Sequence, residues 1–155
     1  MPTAARLVAA VLYALIAFFA ASAIPETLTN SSITLPDYFA PSIMAIGVWQ
    51  GWMVLGKQVG RGYTAAIGNG IRTSIQIAFF ALLLWSLTRM FYLAVTRTTY
   101  RDFGVAVFDA LGFFLEFTVE FISQVDAVAI VIGGGIIAGI VCEAIHRIGN
   151  YRVQR

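Results

Sequence analysis

Four long apolar stretches restrict this chain to a small set of folds. They occupy residues 7–24, 42–55, 74–95 and 127–145 of a chain of 155 residues. A helix needs roughly 17–25 mostly apolar residues to cross a hydrocarbon layer about 30 Å thick. Charged residues make up only 12% of the chain, about half their usual share in soluble domains. The sequence therefore predicts an all-α membrane protein, with one membrane domain over residues 1–155 built as a bundle of four transmembrane helices.

The first apolar stretch has an alternative interpretation as a secretory signal. Arg6 precedes the apolar run, and Ala21-Ser22-Ala23 follows it as a small-residue sequence suited to cleavage. The run is long for a signal, however, and only one positive charge precedes it. A retained helix also completes an even number of crossings, which the distribution of charge favours. We therefore expect this helix to remain in the mature protein.

The basic residues predict the orientation in the membrane. They concentrate in the loop between the second and third stretches and in the C-terminal tail, at Lys57, Arg61, Arg72, Arg147, Arg152 and Arg155. The remaining loops are acidic, with Glu26, Asp37 and Asp102 against the basic residues Arg97 and Arg101. Loops rich in Lys and Arg stay on the cytoplasmic side. The predicted topology is four spans with both ends of the chain in the cytoplasm.

The segment 103–122 does not match the other apolar stretches, because it contains several acids. One apolar face is formed at helical spacing by Phe103, Val107, Ala110, Phe114, Phe117 and Phe121. A separate stripe is formed by Asp102, Asp109, Glu116 and Glu120. Each acid inside a span costs about 2.5–3.5 kcal/mol on an insertion scale. The pattern predicts an amphipathic helix in the outer interface between spans three and four, with phenylalanines toward lipid and carboxylates toward water.

A second interpretation of these acids is functional. Acids within a membrane protein often face the interior of the bundle, where they relay protons or hold a cation. Asp126 could join them, and Arg89 could neutralise one of them. The alternative without a function is a solvated acidic stripe with an ion pair between Arg89 and Asp126 at the interface. Gln50 and Gln76 lie within predicted spans, where their amides either join helices or line a polar path. A polar or ion site would then combine Gln50, Gln76, Arg89, Asp109, Glu116, Glu120 and Asp126.

Two glycine pairs indicate where helices approach closely. Gly47 and Gly51 are four residues apart in the second span, as are Gly135 and Gly139 in the fourth. Small residues at this spacing allow two helix backbones into van der Waals contact. We expect these two helices to pack against each other or against identical helices of a second copy.

Other motifs do not support catalysis or cofactor binding. Residues 51–57 read G-x-x-x-x-G-K, but Gln58 follows where a phosphate-binding loop needs Ser or Thr, and the glycines begin inside an apolar helix. Cys142 and His146 lie one helical turn apart, yet a structural zinc site needs four ligands. No serine stands in a nucleophile-elbow sequence, and a net charge of +2 gives no reason to expect nucleic acid. We predict a non-enzymatic protein without metal or cofactor.

Several stretches resemble the TrgA family of small bacterial membrane proteins. The resembling residues are the opening Met1-Pro2-Thr3-Ala4-Ala5-Arg6-Leu7-Val8-Ala9-Ala10, the central Gly51-Trp52, Gly56, Gly60-Arg61-Gly62, Ala65-Ala66 and Gly70, and the late Gly134-Gly135, Ala138-Gly139 and Glu143. The resemblance implies a protein of the inner (cytoplasmic) membrane of alphaproteobacteria that is associated with tellurite resistance.

Two classes of function follow from these features. The first is an accessory or scaffold component that works through a partner complex or as a homo-oligomer in the lipid bilayer, with Gly60, Arg61 and Gly62 as a partner-docking loop. The second is a small oligomeric transporter or channel for an ion or a proton, which would use the polar site.

Overall fold

The computed structural model describes residues 2–24, 36–97 and 103–153. Within these ranges the chain forms five α-helices: α1 (Pro2–Ser22), α2 (Phe39–Met53), α3 (Tyr63–Arg97), α4 (Phe103–Ser123) and α5 (Val125–Val153). A 3₁₀ turn, Leu55–Lys57, follows α2. Glu26, Arg101, Asp102 and Arg155, which entered the charge argument, lie outside the described residues.

Four of these helices are long and apolar enough to cross a membrane, which confirms the predicted number. The qualifying segments are Ala4–Ser22, Phe39–Lys57, Tyr63–Thr96 and Val125–Gly149. The helix α3 has 35 residues, so it is about 52 Å long at 1.5 Å per residue. It exceeds the thickness of a hydrocarbon layer. The helical segment therefore begins well before the apolar stretch that predicted it.

The helices form two antiparallel pairs that meet through small residues. In the first pair, Gly47 of α2 lies against the backbone of Tyr13 in α1, and Gly51 lies against Ala9. In the second pair, Gly135 of α5 faces Gly70 of α3. The two pairs join where α1 packs on α5. Close backbone contact of this kind supplies dispersion energy where lipid provides no hydrophobic drive.

The pairing of the glycine helices differs from our expectation. Gly47 and Gly51 contact α1, whereas Gly135 and Gly139 contact α3. The helix α2 does not pack extensively on α5. The reason is compositional: α1 presents a face of alanines to α2, and α3 presents Ala66 and Gly70 to α5. Gly47 and Gly51 therefore pack on α1, which precedes α2 directly, whereas Gly135 and Gly139 pack on α3, which α4 separates from α5 in the chain.

The bundle has two chemically different ends. At one end, which we call the basic end, Arg6 of α1 lies beside Gly56, and the start of α3 meets the final turns of α5 at Arg147. At the opposite end, which we call the aromatic end, Tyr38 and Phe39 of α2 pack on Trp85 of α3. The first turns of α1 and the last turns of α5 therefore lie at the same end of the bundle.

The helix α4 lies between α3 and α5 in the chain. It packs mainly on α3, including a ring contact between Phe79 and Phe114 at 5.7 Å. Only Gln124 separates it from α5.

The faces of α4 are not those that we predicted. Glu120, expected in water, is only 3% exposed, while Asp109 is exposed and Glu116 is half-buried. The exposed face is instead an apolar row formed by Phe108, Leu111, Leu115, Val119 and Ile122. Both rows repeat at helical spacing, and the packing of Phe117 on the bundle turns Glu120 inward with it. The prediction that the whole acidic stripe faces water is therefore wrong at Glu120.

Candidate functional sites

The basic end contains a loop that is fastened to α5 by one carboxylate. Glu143 is buried on α5, and its Oε2 accepts a hydrogen bond from the Gly60 amide at 2.7 Å. Its Oε1 accepts a second bond from the Gly62 amide at 3.1 Å. These residues are more than 80 positions apart in the sequence. A single side chain thus fixes the path of the chain between α2 and α3.

The loop conformation depends on its two glycines. Gly60 has φ +96° and Gly62 has φ +97°, a left-handed region that side chains with a Cβ rarely adopt. This conformation turns both amide N–H groups toward the same carboxylate. Charge-assisted hydrogen bonds of this kind are about twice as strong as neutral ones. The intervening Arg61 is exposed on the surface.

Other polar contacts extend this network. Arg147 lies one helical turn after Glu143 and donates from Nε to Oε1 at 3.3 Å. The same guanidinium stacks over the ring of Tyr63 at 4.5 Å, which joins α5 to the first turn of α3. Since half of the Arg147 side chain is exposed, its ion pair contributes little alone. The main effect of Arg147 is to hold the carboxylate of Glu143 in position for the amides of Gly60 and Gly62.

The basic end also contains the predicted Cys142 and His146 pair. Cys142 is fully buried in the core of the bundle. His146 lies against Gly60, where a Cβ would meet its Nε2. Among the described residues, no group of three His, Cys, Asp or Glu side chains is placed to hold a metal ion. Cys142 therefore packs within the core, and His146 contacts the loop at Gly60.

A cavity of about 380 Å³ opens at the aromatic end. Small and aliphatic side chains of α1, α2, α3 and α5 form the part of its lining that we call the apolar wall, namely Ala17, Ile43, Ile77, Ala81 and Val131. The part that we call the rim is aromatic and polar, with Tyr38, Trp85, Arg89, Tyr92 and Glu120. The volume falls within the range of about 300–1,000 Å³ that small-molecule sites occupy.

The cavity brings together only two members of the predicted polar site. Arg89 and Glu120 both line it. Gln50 and Gln76 do not, and Asp109 and Asp126 are exposed elsewhere on the surface. The expected ion pair between Arg89 and Asp126 is not formed. The helical spacing in the sequence assigned these residues to helices. The packing of α4 on α3 determined which of them line the same cavity.

Three features of the sites were not recognised from the sequence. The role of Glu143 in fastening the loop had a signal, since it is an acid in the apolar interior of α5, one turn before Arg147. Tyr13 donates its hydroxyl proton to the Gly70 carbonyl at 2.6 Å and so joins the two helix pairs. A tyrosine hydroxyl at the centre of an apolar stretch was the available signal. The close approach at Gly70 itself had no local signature.

Comparisons with protein-family models, with characterised proteins and with solved structures find no match to this chain.

Proposed function

We propose that this chain is a non-enzymatic, multi-pass protein of the bacterial inner membrane, and that it docks a partner through the loop Gly60-Arg61-Gly62. In this proposal both ends of the chain and the basic end of the bundle face the cytoplasm. The partner belongs to a larger membrane complex, for which the protein acts as an accessory or scaffold component. The resemblance to the TrgA family connects that complex to tellurite resistance.

The observation that carries this proposal is the fastening of the loop by Glu143. Two charge-assisted hydrogen bonds hold the loop in one conformation. The backbone at Arg61 therefore loses little conformational entropy when a partner binds. Binding through a rigid loop avoids much of the entropy cost of ordering it. Arg61 is the exposed side chain between the two fastened amides, and a guanidinium is well suited to bidentate contact with a carboxylate. The loop is therefore built to present one arginine.

The common location of the first turns of α1 and the last turns of α5 supports the proposed topology. Four crossings place both chain ends on one side, and the basic residues assign that side to the cytoplasm. The helix α4 then lies on the outer side of the membrane. Its exposed row of apolar residues faces lipid, and Asp109 faces water.

The docking proposal is tested by recovery of partners after gentle solubilisation. Tagged protein is purified from its native membrane in a mild detergent, and every co-purifying protein is identified. We expect Arg61→Ala to lose at least one partner while the protein level stays unchanged. Arg72→Ala is the matched control, since Arg72 is also exposed but lies outside the loop. Equal recovery from both variants would refute the proposal.

Transport is the second candidate function, and the aromatic-end cavity favours it. Glu120 is a buried carboxylate, and acids inside a membrane bundle often serve ion or proton movement. A homo-oligomer would be needed to complete a path, because the cavity is located at one end of the bundle. Purified protein in liposomes would show proton or cation flux that Glu120→Gln abolishes. Silent liposomes, with partners recovered as above, would exclude this candidate.

A further inference from the structure

We infer that the cavity at the aromatic end is a binding site for a zwitterionic phospholipid, which would place its headgroup between Arg89 and Glu120 and one acyl chain against the apolar wall. This site is separate from the docking loop, which lies at the opposite end of the bundle. The inference therefore does not depend on the proposed function.

The first step of the argument is the unfilled hydrogen-bonding capacity of Arg89. Its Nε is buried and has no hydrogen-bond partner within the described residues. The guanidinium carbon of Arg89 lies 5.9 Å from the centroid of the Tyr92 ring. A buried donor without an acceptor destabilises the folded chain. A phosphate oxygen in the cavity would satisfy this donor and match the planar guanidinium.

The second step is the charge balance of the cavity rim. Arg89 and Glu120 line the same cavity, so their formal charges cancel. A purely anionic headgroup would satisfy Arg89 but would also meet the buried carboxylate of Glu120. A zwitterionic headgroup offers one charge of each sign. Its ammonium group would lie on the side of the cavity that Glu120 lines.

The third step is the polarity gradient along the cavity. The wall around Ala17, Ile77 and Ala81 carries no charged group, whereas Arg89 and Tyr92 lie farther along α3 toward its C-terminal end. Tyr38 and Tyr92 are 61% and 59% exposed, so they form a mouth that a lipid can enter from the bilayer. Burial of apolar area along the wall would supply most of the binding energy. Only an amphiphile is complementary to both regions.

The inference is tested with three probes that share a dodecyl chain. Dodecylphosphocholine carries both charges, dodecyl phosphate carries the negative one, and dodecyltrimethylammonium carries the positive one. Each is titrated into protein held in a maltoside detergent, with Trp49→Phe and Trp52→Phe introduced so that Trp85 is the fluorescent reporter. We expect the phosphocholine probe to saturate at a concentration about tenfold lower than either singly charged probe, which corresponds to about 1.4 kcal/mol. Free phosphocholine without a chain should cause no change.

Variants then assign the effect to the rim. Arg89→Gln should raise the half-saturation concentration of dodecylphosphocholine to that of dodecyltrimethylammonium, and Arg72→Gln should leave it unchanged. If Arg89→Gln does not fold, phospholipid retained by the unmodified protein after washing in maltoside gives the answer. About one zwitterionic phospholipid per chain would support the site. Equal response to all three probes, no effect of Arg89→Gln, or retention of mainly anionic lipid would each overturn it.

Discussion

Two buried charged groups, the carboxylate of Glu143 at the basic end and the Nε of Arg89 at the aromatic end, are held in opposite ways. At the basic end, Glu143 receives hydrogen bonds from Gly60, Gly62 and Arg147, so its charge is compensated within the chain. At the aromatic end, the buried Nε of Arg89 has no acceptor within the described residues and faces a cavity. A carboxylate that is hydrogen-bonded within the chain fixes the path of a loop, whereas a donor without an acceptor beside a cavity has hydrogen-bonding capacity left for the phospholipid that we infer. The predictions below test each side of this contrast.

The largest expected effect is the loss of the loop fastener. Glu143→Ala removes the acceptor of two charge-assisted hydrogen bonds, each worth about 1.5–3 kcal/mol. We expect a fall of about 3–6 kcal/mol in the free energy of unfolding, together with rapid proteolysis between residues 57 and 63. Unfolding in mild detergent and limited proteolysis measure the two effects.

The matched control for this prediction is Arg147→Ala. It removes the half-exposed partner of Glu143 but leaves both glycine amides bonded, so it should cost no more than about 1 kcal/mol. If the two variants lose the same stability, the glycine amides do not fasten the loop. The contrast between the ends would then fail.

The next effect concerns the backbone contact between α3 and α5. A Cβ at Gly70 would overlap the carbonyl of Gly135, so Gly70→Ala forces the helices apart. Overpacking of this kind costs typically about 1–3 kcal/mol. Gly68→Ala lies on the same helix with open space around it and should be neutral or slightly stabilising. Thermal unfolding of both variants checks the prediction, which equal midpoints would contradict.

The smallest effect is expected at the hydrogen bond that joins the two helix pairs. Tyr13→Phe removes the hydroxyl that donates to the Gly70 carbonyl but keeps the ring. We expect the free energy of unfolding to fall by about 1 kcal/mol. The loss is small because the Gly70 carbonyl remains part of α3. Tyr63→Phe is a suitable comparison, since the ring of Tyr63 is used for stacking on Arg147. If Tyr63→Phe destabilises the protein more than Tyr13→Phe does, the hydrogen bond from Tyr13 to Gly70 does not join the two helix pairs as described.

The sequence predicted the apolar helices more reliably than their ends or partners. Hydropathy reports which residues tolerate lipid, so it located the four membrane-length segments. It missed the first turns of α3, since Asn69 and Arg72 lower the hydropathy while remaining helical. A glycine pair signals that some helix approaches closely, but it does not identify that helix. The alanine face of α1 and Gly70 of α3 decided the pairing.

The candidate sites were predictable only in part, for a related reason. The unusual Gly60-Arg61-Gly62 sequence pointed to the loop, yet the carboxylate that fastens it is more than 80 residues away. Glu120 lies on a helix that has apolar residues on nearly every side, such as Phe117 and Val119. Helical spacing alone therefore could not determine which face turns inward. Contacts between residues far apart in the sequence determined both the partner of the loop and the inward face of α4.

The central claim is that the basic and aromatic ends lie on opposite sides of the membrane. It is tested most directly by labelling single cysteines in intact spheroplasts with a membrane-impermeant maleimide, in a Cys142→Ala background. Tyr38→Cys reports on the aromatic end and Arg61→Cys on the loop, and both positions are exposed. We predict that Tyr38→Cys is labelled in intact spheroplasts, whereas Arg61→Cys is labelled only after permeabilisation. Labelling of Arg61→Cys from outside would contradict the account.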